Sequence, residues 1–260
     1  MEPKPAGWAE PYGAVFAEQD VVDAYHLRPR HPQESIEVLG GLAAGGVVLD
    51  AGCGTGELAR RLAPRVSRVD AVDVSAPMLE VARAGAPANV AWIHGKIEEA
   101  ELAGPYSLIT AGDSIHWFDW ERAFPRFAAL LAPDAPLAVV HRDWLSDELR
   151  RVLAPVYERH SWNVDFAPLD PVTELERRGL FVRTGEHVTA PEPWHPAINE
   201  LVGIHFSTSG LARPRLRDPE AFAAEARAAI EQACESRDGR YDLHVVGRVT
   251  WGRPAASIPT

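Results

Sequence analysis

The sequence predicts an α/β protein built on a doubly wound, mainly parallel sheet. Three observations carry this. An apolar run at 47–51 breaks into a turn with Gly52, Gly54 and Gly56, and a helical pattern follows at once. Strand-like and helix-like segments then alternate as far as about residue 145, the pattern of βαβ units. Hydrophobic residues make up 46% of the 260-residue chain, enough for one large domain with its own core.

The elements read as follows. Residues 1–17 are rich in Pro, Gly and aromatic residues and read as a flexible lead. A first helix over 19–25 and a second over 34–42 are separated by Pro29 and Pro32, which cannot continue a helix. Strand 47–51 and helix 56–63 form the first unit. Strand 67–74 leads to helix 77–84, with Pro77 in the first turn and Ser75 as cap. Strands at 89–94 and 106–111, a helix at 120–131 and a strand at 136–141 complete the core. Helices at 146–160 and 170–179, a strand at 181–190, helices at 194–205 and 219–235, and a last strand at 241–251 follow. We read 1–260 as one domain: a helical N-terminal cap over 1–45, a ligand-binding core over 46–145, a helical or lid region with a sixth strand over 146–240, and the last strand and tail over 241–260.

Composition excludes several classes. A formal net charge of -11 argues against a nucleic-acid partner, whose backbone is bound by basic patches. Cys53 and Cys234 cannot make a disulfide framework, and no metal-ligand spacing occurs, so no metal is expected. There is no signal-peptide pattern and no apolar run of membrane length. These features predict a cytoplasmic, soluble protein with no membrane partner.

The glycine spacing selects the ligand. A dinucleotide turn reads G-x-G-x-x-G, whereas this one reads G-x-G-x-G, with Glu57 where the further glycine would stand. Asp50 and Glu57 would oppose a phosphate at this helix N-terminus, a position that otherwise favours anions. They suit a ligand with a positive centre and no phosphate, such as S-adenosylmethionine.

Leu49 to Gly56 resembles the first motif of the class I S-adenosylmethionine-dependent methyltransferases, hydrophobic-hydrophobic-D/E-x-G-x-G-x-G. The resemblance implies a Rossmann-like sheet of seven strands with the last one antiparallel. It implies that Asp50, Gly52, Cys53, Gly54 and Gly56 bear on the cofactor. Asp73 lies 23 positions after Asp50, where an acid can accept hydrogen bonds from both ribose hydroxyls. Val74 and Met78 follow it, and Met78 is placed to pack on ribose or adenine. The loop after the third strand usually carries an acid for the adenine amino group. Here Lys96 holds that position and cannot accept a hydrogen bond, which leaves adenine to backbone groups and to Ile97.

Two further segments are similar to a small-molecule subgroup related to trans-aconitate methyltransferase. The stretch from Tyr25 to Pro32 resembles Y-x-x-R-P-x-Y-P, which makes Arg28 the candidate for the methionine carboxylate and Tyr25 a cover for the sulfonium or carboxylate. The stretch from Ala111 to Asp119 resembles A-G-Q-A-x-H-W-F-D. That loop places Gly112 and Trp117 near the methyl group, where an aromatic face can stabilise a sulfonium. His116 and Asp113 are candidate bases for the acceptor's proton, with His141 a third at the end of the fifth strand. Residues 194–215, with the N-terminal helices, are expected to form the acceptor pocket, and Arg142 or Arg213 to hold an acidic group. The implied activity is methyl transfer from S-adenosylmethionine to oxygen, nitrogen or carbon of a small molecule, natural-product intermediates included. Two alternatives stay open: a cofactor-binding enzyme with non-methylating chemistry, such as a cyclase or isomerase, and a non-catalytic binding module. Oligomeric state is left open.

Overall fold

The computed structural model describes residues 2–257. The N-terminal lead is folded rather than flexible. A 3-10 turn at Ala6–Trp8, helix α1 (Glu10–Gly13) and a second 3-10 turn at Ala14–Ala17 precede α2 (Gln19–Tyr25). Trp8, Tyr12 and Val15 stand at spacings of one helical face, and all three are buried. Polar contacts fix the segment as well: Asn163 donates to the Gly7 carbonyl at 3.0 Å and the Tyr12 hydroxyl to Asp165 at 2.9 Å.

Helix α3 (Gln33–Ala43) begins after Pro32, as the prolines predict. The core units follow as β1 (Val47–Ala51), α4 (Glu57–Leu62), β2 (Arg68–Asp73), α5 (Ala76–Arg83), β3 (Val90–His94), β4 (Leu108–Gly112), α6 (Trp120–Leu130) and β5 (Leu137–Asp143). Ser75 caps α5 by accepting the Met78 N–H at 3.2 Å. Then come α7 (Asp147–His160), α8 (Pro171–Arg177), β6 (Phe181–Val188), β7 (Glu192–Trp194), α9 (Ile198–Gly203) and α10 (Pro219–Ala233). A two-residue hairpin, β8 (Ser236–Arg237) and β9 (Arg240–Tyr241), leads to the long β10 (Leu243–Pro254). The single helix expected over 194–205 is instead a strand end, a short helix and a 3-10 turn. Pro196 is the cause: it biases His195 away from helical backbone, so α9 cannot start before it.

The main sheet has the order β3-β2-β1-β4-β5-β10-β6. Strands β1 to β5 are parallel, and β10 runs antiparallel between β5 and β6. The expected seven strands are thus present, with the last antiparallel, and β7 adds a short piece on β10. The central strands are buried on both faces, which is why they read as continuous apolar runs. Leu49, Ala51 and Ile109 pack with Phe124 and Phe127 on one face. Val48 and Leu108 pack with Leu39, Leu58 and Leu62 on the other. Strand order reverses between β1 and β4, so their carboxyl ends part into a crevice. A separate cluster from α7, α9 and α10, including Leu153, Leu201 and Phe222, lies beyond the sheet.

Candidate active site

The glycine turn sits at the head of this crevice. Gly52, Gly54 and Gly56 have φ of +68°, +54° and +79°, a region that side-chain-bearing residues avoid. Each glycine also answers to a different neighbour. A Cβ on Gly52 would lie 2.6 Å from the Ser114 Cβ, and one on Gly56 would lie 2.3 Å from the Trp92 ring. Gly54 opens toward the Tyr25 hydroxyl. From the next strand, Asp73 accepts the Gly54 N–H through Oδ2 at 2.7 Å and the Ser75 N–H through Oδ1 at 2.8 Å. Burial raises the Asp73 pKa against the pull of those hydrogen bonds.

A cavity of about 670 Å³ runs along these strand ends, a volume suited to a small organic ligand. It collects most of the predicted residues. Asp73, Val74 and Met78 line it from β2 and α5, and Lys96 and Ile97 from the loop after β3. Gly52 and Gly54 contribute the turn, Gly112, Asp113 and Trp117 the end of β4, and Tyr25 and Arg28 the segment after α2. Arg28 is held rather than loose. Its Nε donates to the Ser207 Oγ at 2.9 Å, its Nη2 to the Ser207 carbonyl at 2.6 Å, and it stacks 4.3 Å from the Tyr25 ring centre.

Five of the predicted cofactor and base residues do not line the cavity. Asp50 alternates with Leu49 and so shares the face of Val48, under α4. It is buried, accepts the Thr110 hydroxyl at 2.9 Å, and burial pushes its pKa up to about 7. Cys53 packs in the core on that same face. Gly56 serves the close approach of Trp92. His116 packs between rings, with centroids 5.7 Å from Trp8 and 4.4 Å from Trp117. Burial pushes its pKa down to about 3, which makes it a poor base at neutral pH. His141 stands on the rim with its side chain 63% exposed and its Nδ1 2.8 Å from the Asp113 Oδ1.

Asp113 lines the cavity, but its carboxylate is already engaged. Its Oδ2 lies 3.2 Å from Arg142 Nε, and Arg142 is itself buried and donates to the Pro29 carbonyl at 2.8 Å. Burial alone would raise its pKa. The His141 hydrogen bond and the Arg142 charge outweigh that and hold the carboxyl well below the usual carboxylate range. Asp113 and Arg142 thus pair with each other at the edge of the cavity. Arg213 pairs with Glu220 at 2.9 Å, away from the cavity.

The expected acceptor wall at 194–215 contributes no lining residue. The wall comes instead from the N-terminal segment, with Pro3, Lys4, Gly13 and Phe16, and from Glu98 and Phe118. Lys4 Nζ donates to the Phe118 carbonyl at 3.1 Å, tying that segment over the cavity. The apolar spacing at 8, 12 and 15 was the available sign that this segment folds. His31 was also missed: it is buried, with Nε2 4.0 Å from the Asp113 Oδ2, and burial pushes its pKa down to about 3.

Residues 48–134 match the methyltransferase domain family. An uncharacterized methyltransferase of Mycobacterium tuberculosis is 35% identical over 175 residues, which cover 66% of this chain and 63% of that protein. Another from the same organism is 43% identical over 96 residues, which cover 36% of this chain and 49% of that protein. The chain thus spans about half the length of the latter relative. Among solved structures, a candidate type II methyltransferase from Anaeromyxobacter dehalogenans superposes with a TM-score of 0.67 at 23% identity, covering 89% of this chain and 99% of that one. The sheet order and the superposition show a Rossmann-like methyltransferase fold, and the matched domain lies over its parallel core.

Proposed function

We propose that this protein transfers a methyl group from S-adenosylmethionine to a small organic acceptor. The observation that carries the reading is the brace between Asp73 and Gly54 at the mouth of a 670 Å³ cavity. Two turn glycines without side chains admit close approach of a ligand, and Asp73 offers acceptors to ribose hydroxyls. Met78 and Ile97 give apolar contacts for adenine, and Arg28 with Tyr25 gives a cation for the methionine carboxylate. Lys96 leaves the adenine amino group to backbone carbonyls. Held by these residues, the cofactor would supply an electrophilic methyl group on a sulfonium and would leave as the neutral thioether, the carbon–sulfur electron pair staying on sulfur.

A small acceptor is favoured because the N-terminal segment roofs the cavity and because the net charge of -11 disfavours nucleic acid. The segments 25–32 and 111–119 support placement in the subgroup related to trans-aconitate methyltransferase. We place the protein in the cytoplasm, consistent with the lack, among the described residues, of any helix long and apolar enough to cross a membrane. Titration calorimetry with S-adenosylhomocysteine tests the reading. We expect binding by the wild-type chain and loss of binding in Asp73→Ala. Binding of NAD in place of S-adenosylhomocysteine would overturn it.

A further inference from the structure

Asp113 directly follows β4 with φ of +51°, a strained backbone for a residue that carries a side chain. Such strain persists where surrounding contacts over-determine it. Here the contacts are ionic. Oδ2 faces the buried Arg142 Nε at 3.2 Å, and Oδ1 accepts the His141 Nδ1–H at 2.8 Å. A neutral imidazole that donates from Nδ1 carries its lone pair on Nε2. Among the described residues, no hydrogen bond engages that Nε2. His141 stands at the carboxyl end of β5, next to the cavity that Asp113 and Gly112 line, and its side chain is 63% exposed.

We propose that Asp113 and His141 form a carboxylate–histidine dyad, in which Asp113 positions the imidazole and His141 Nε2 takes the proton of a hydroxyl acceptor. This rests on the methyltransferase reading and narrows its substrate class. A carboxylate acceptor is already ionised at neutral pH and needs no base, whereas a phenol or alcohol must lose a proton. In the step, the O–H proton passes to the Nε2 lone pair and the oxygen keeps the bonding electrons, which form the bond to the methyl carbon. The imidazolium is stabilised by Asp113, which stays ionised throughout. His141 is the catalytic base and Asp113 a positioning residue.

Several charged groups bear on His141. Asp113 and Asp143 favour its protonated form, while Arg142 opposes it. Arg248 stands opposite in the β10 register and is held by Glu186 at 2.9 Å. His31, on the far side of Asp113, is kept neutral by burial. Partial desolvation by the neighbouring protein works against protonation of His141, but the Asp113 hydrogen bond and charge outweigh it and raise the pKa above the ordinary 6.5. The rate of proton removal should therefore rise with pH through that raised value.

The test is nitrogen NMR of the imidazole rings across pH 5 to 9 on the chain saturated with S-adenosylhomocysteine, followed by methyl transfer from labelled S-adenosylmethionine to p-cresol, benzyl alcohol and benzoate. We expect neutral His141 to carry its proton on Nδ1. In Asp113→Asn its titration should fall by on the order of one pH unit. A hydroxyl probe should be methylated, with kcat about 100-fold lower in His141→Gln and both KM and cofactor affinity unchanged. Should Asp113→Asn not fold, the wild-type tautomer decides. A proton on Nε2, an unmoved titration in Asp113→Asn, methylation of benzoate alone, or a full rate in His141→Gln overturns the dyad. With no probe methylated, the tautomer and the titration shift decide by themselves. Failure of the wild-type chain to bind S-adenosylhomocysteine would strike the methyltransferase reading instead, and would leave the His141 tautomer as found.

Discussion

Asp73 accepts the backbone N–H of Gly54 at 2.7 Å, so the acid that ends β2 braces the glycine turn that ends β1. The same carboxylate accepts the Ser75 N–H at 2.8 Å and so fixes the entry to α5. One side chain thereby sets two loops on either side of the cavity, while it remains part of the cavity wall.

Asp73→Ala should therefore reduce both binding and stability. Two backbone donors lose a charged acceptor, which costs about 1–3 kcal/mol. Urea unfolding should show that loss without ligand. Calorimetry should show S-adenosylhomocysteine affinity reduced by far more than the stability change explains.

Gly56→Ala should act on the fold alone. Its Cβ would enter the Trp92 ring at 2.3 Å, on backbone with φ of +79°. We expect a loss of about 2 kcal/mol or more in urea unfolding. The further variant Trp92→Leu, which makes room, should recover part of it. An unaltered unfolding midpoint in Gly56→Ala would contradict the packing role.

Asp50 should make stability depend on pH in an unusual direction. Its pKa is near 4 in an unfolded chain and about 7 when folded. Between those values the folded state binds more protons than the unfolded one, so the contribution of Asp50 to stability falls as pH rises from about 4 to 7 and then levels. Asp50→Asn removes the ionisation. The variant should gain stability relative to wild type, by an amount that grows over that window, when unfolding is followed at pH 5 and pH 8.

His116→Phe tests the role the sequence suggested for His116. The ring lies among Trp8 and Trp117 and stays neutral, its pKa pushed down to about 3 by burial. Phenylalanine should keep stability within about 1.5 kcal/mol. Removal of a true base would lower the methylation rate about 100-fold or more. We expect no such fall, and no change in the pH dependence of the rate between 5 and 8.

Local chemistry made the glycine-turn side of the cavity legible. Gly52 and Gly54 need left-handed backbone, and Asp73 must end a strand beside them; both constraints are written within a few residues of each other. Asp50 and Gly56 belong to the same motif but do not line the cavity. A motif states which residues recur, but not whether each one meets the ligand or the neighbouring helix. Strand alternation turns Asp50 away from the cavity, and the distant Trp92 claims Gly56.

The sequence by itself determined the alternation of elements, the glycine turn and the acid that serves it, because apolar period and backbone freedom are local properties. Only the tertiary structure decided the charge partners. Asp113 reads as a free acid in sequence. In the fold, β5 brings Arg142 and His141 against it, 2.8 Å away at the closest, so that it is a paired carboxylate. The N-terminal lead changed in the same way, from a loose segment to a wall of the cavity, because its buried face is completed by residues far along the chain. Charge partners and burial come from contacts between distant segments, and it is these contacts that set which groups can gain or lose a proton.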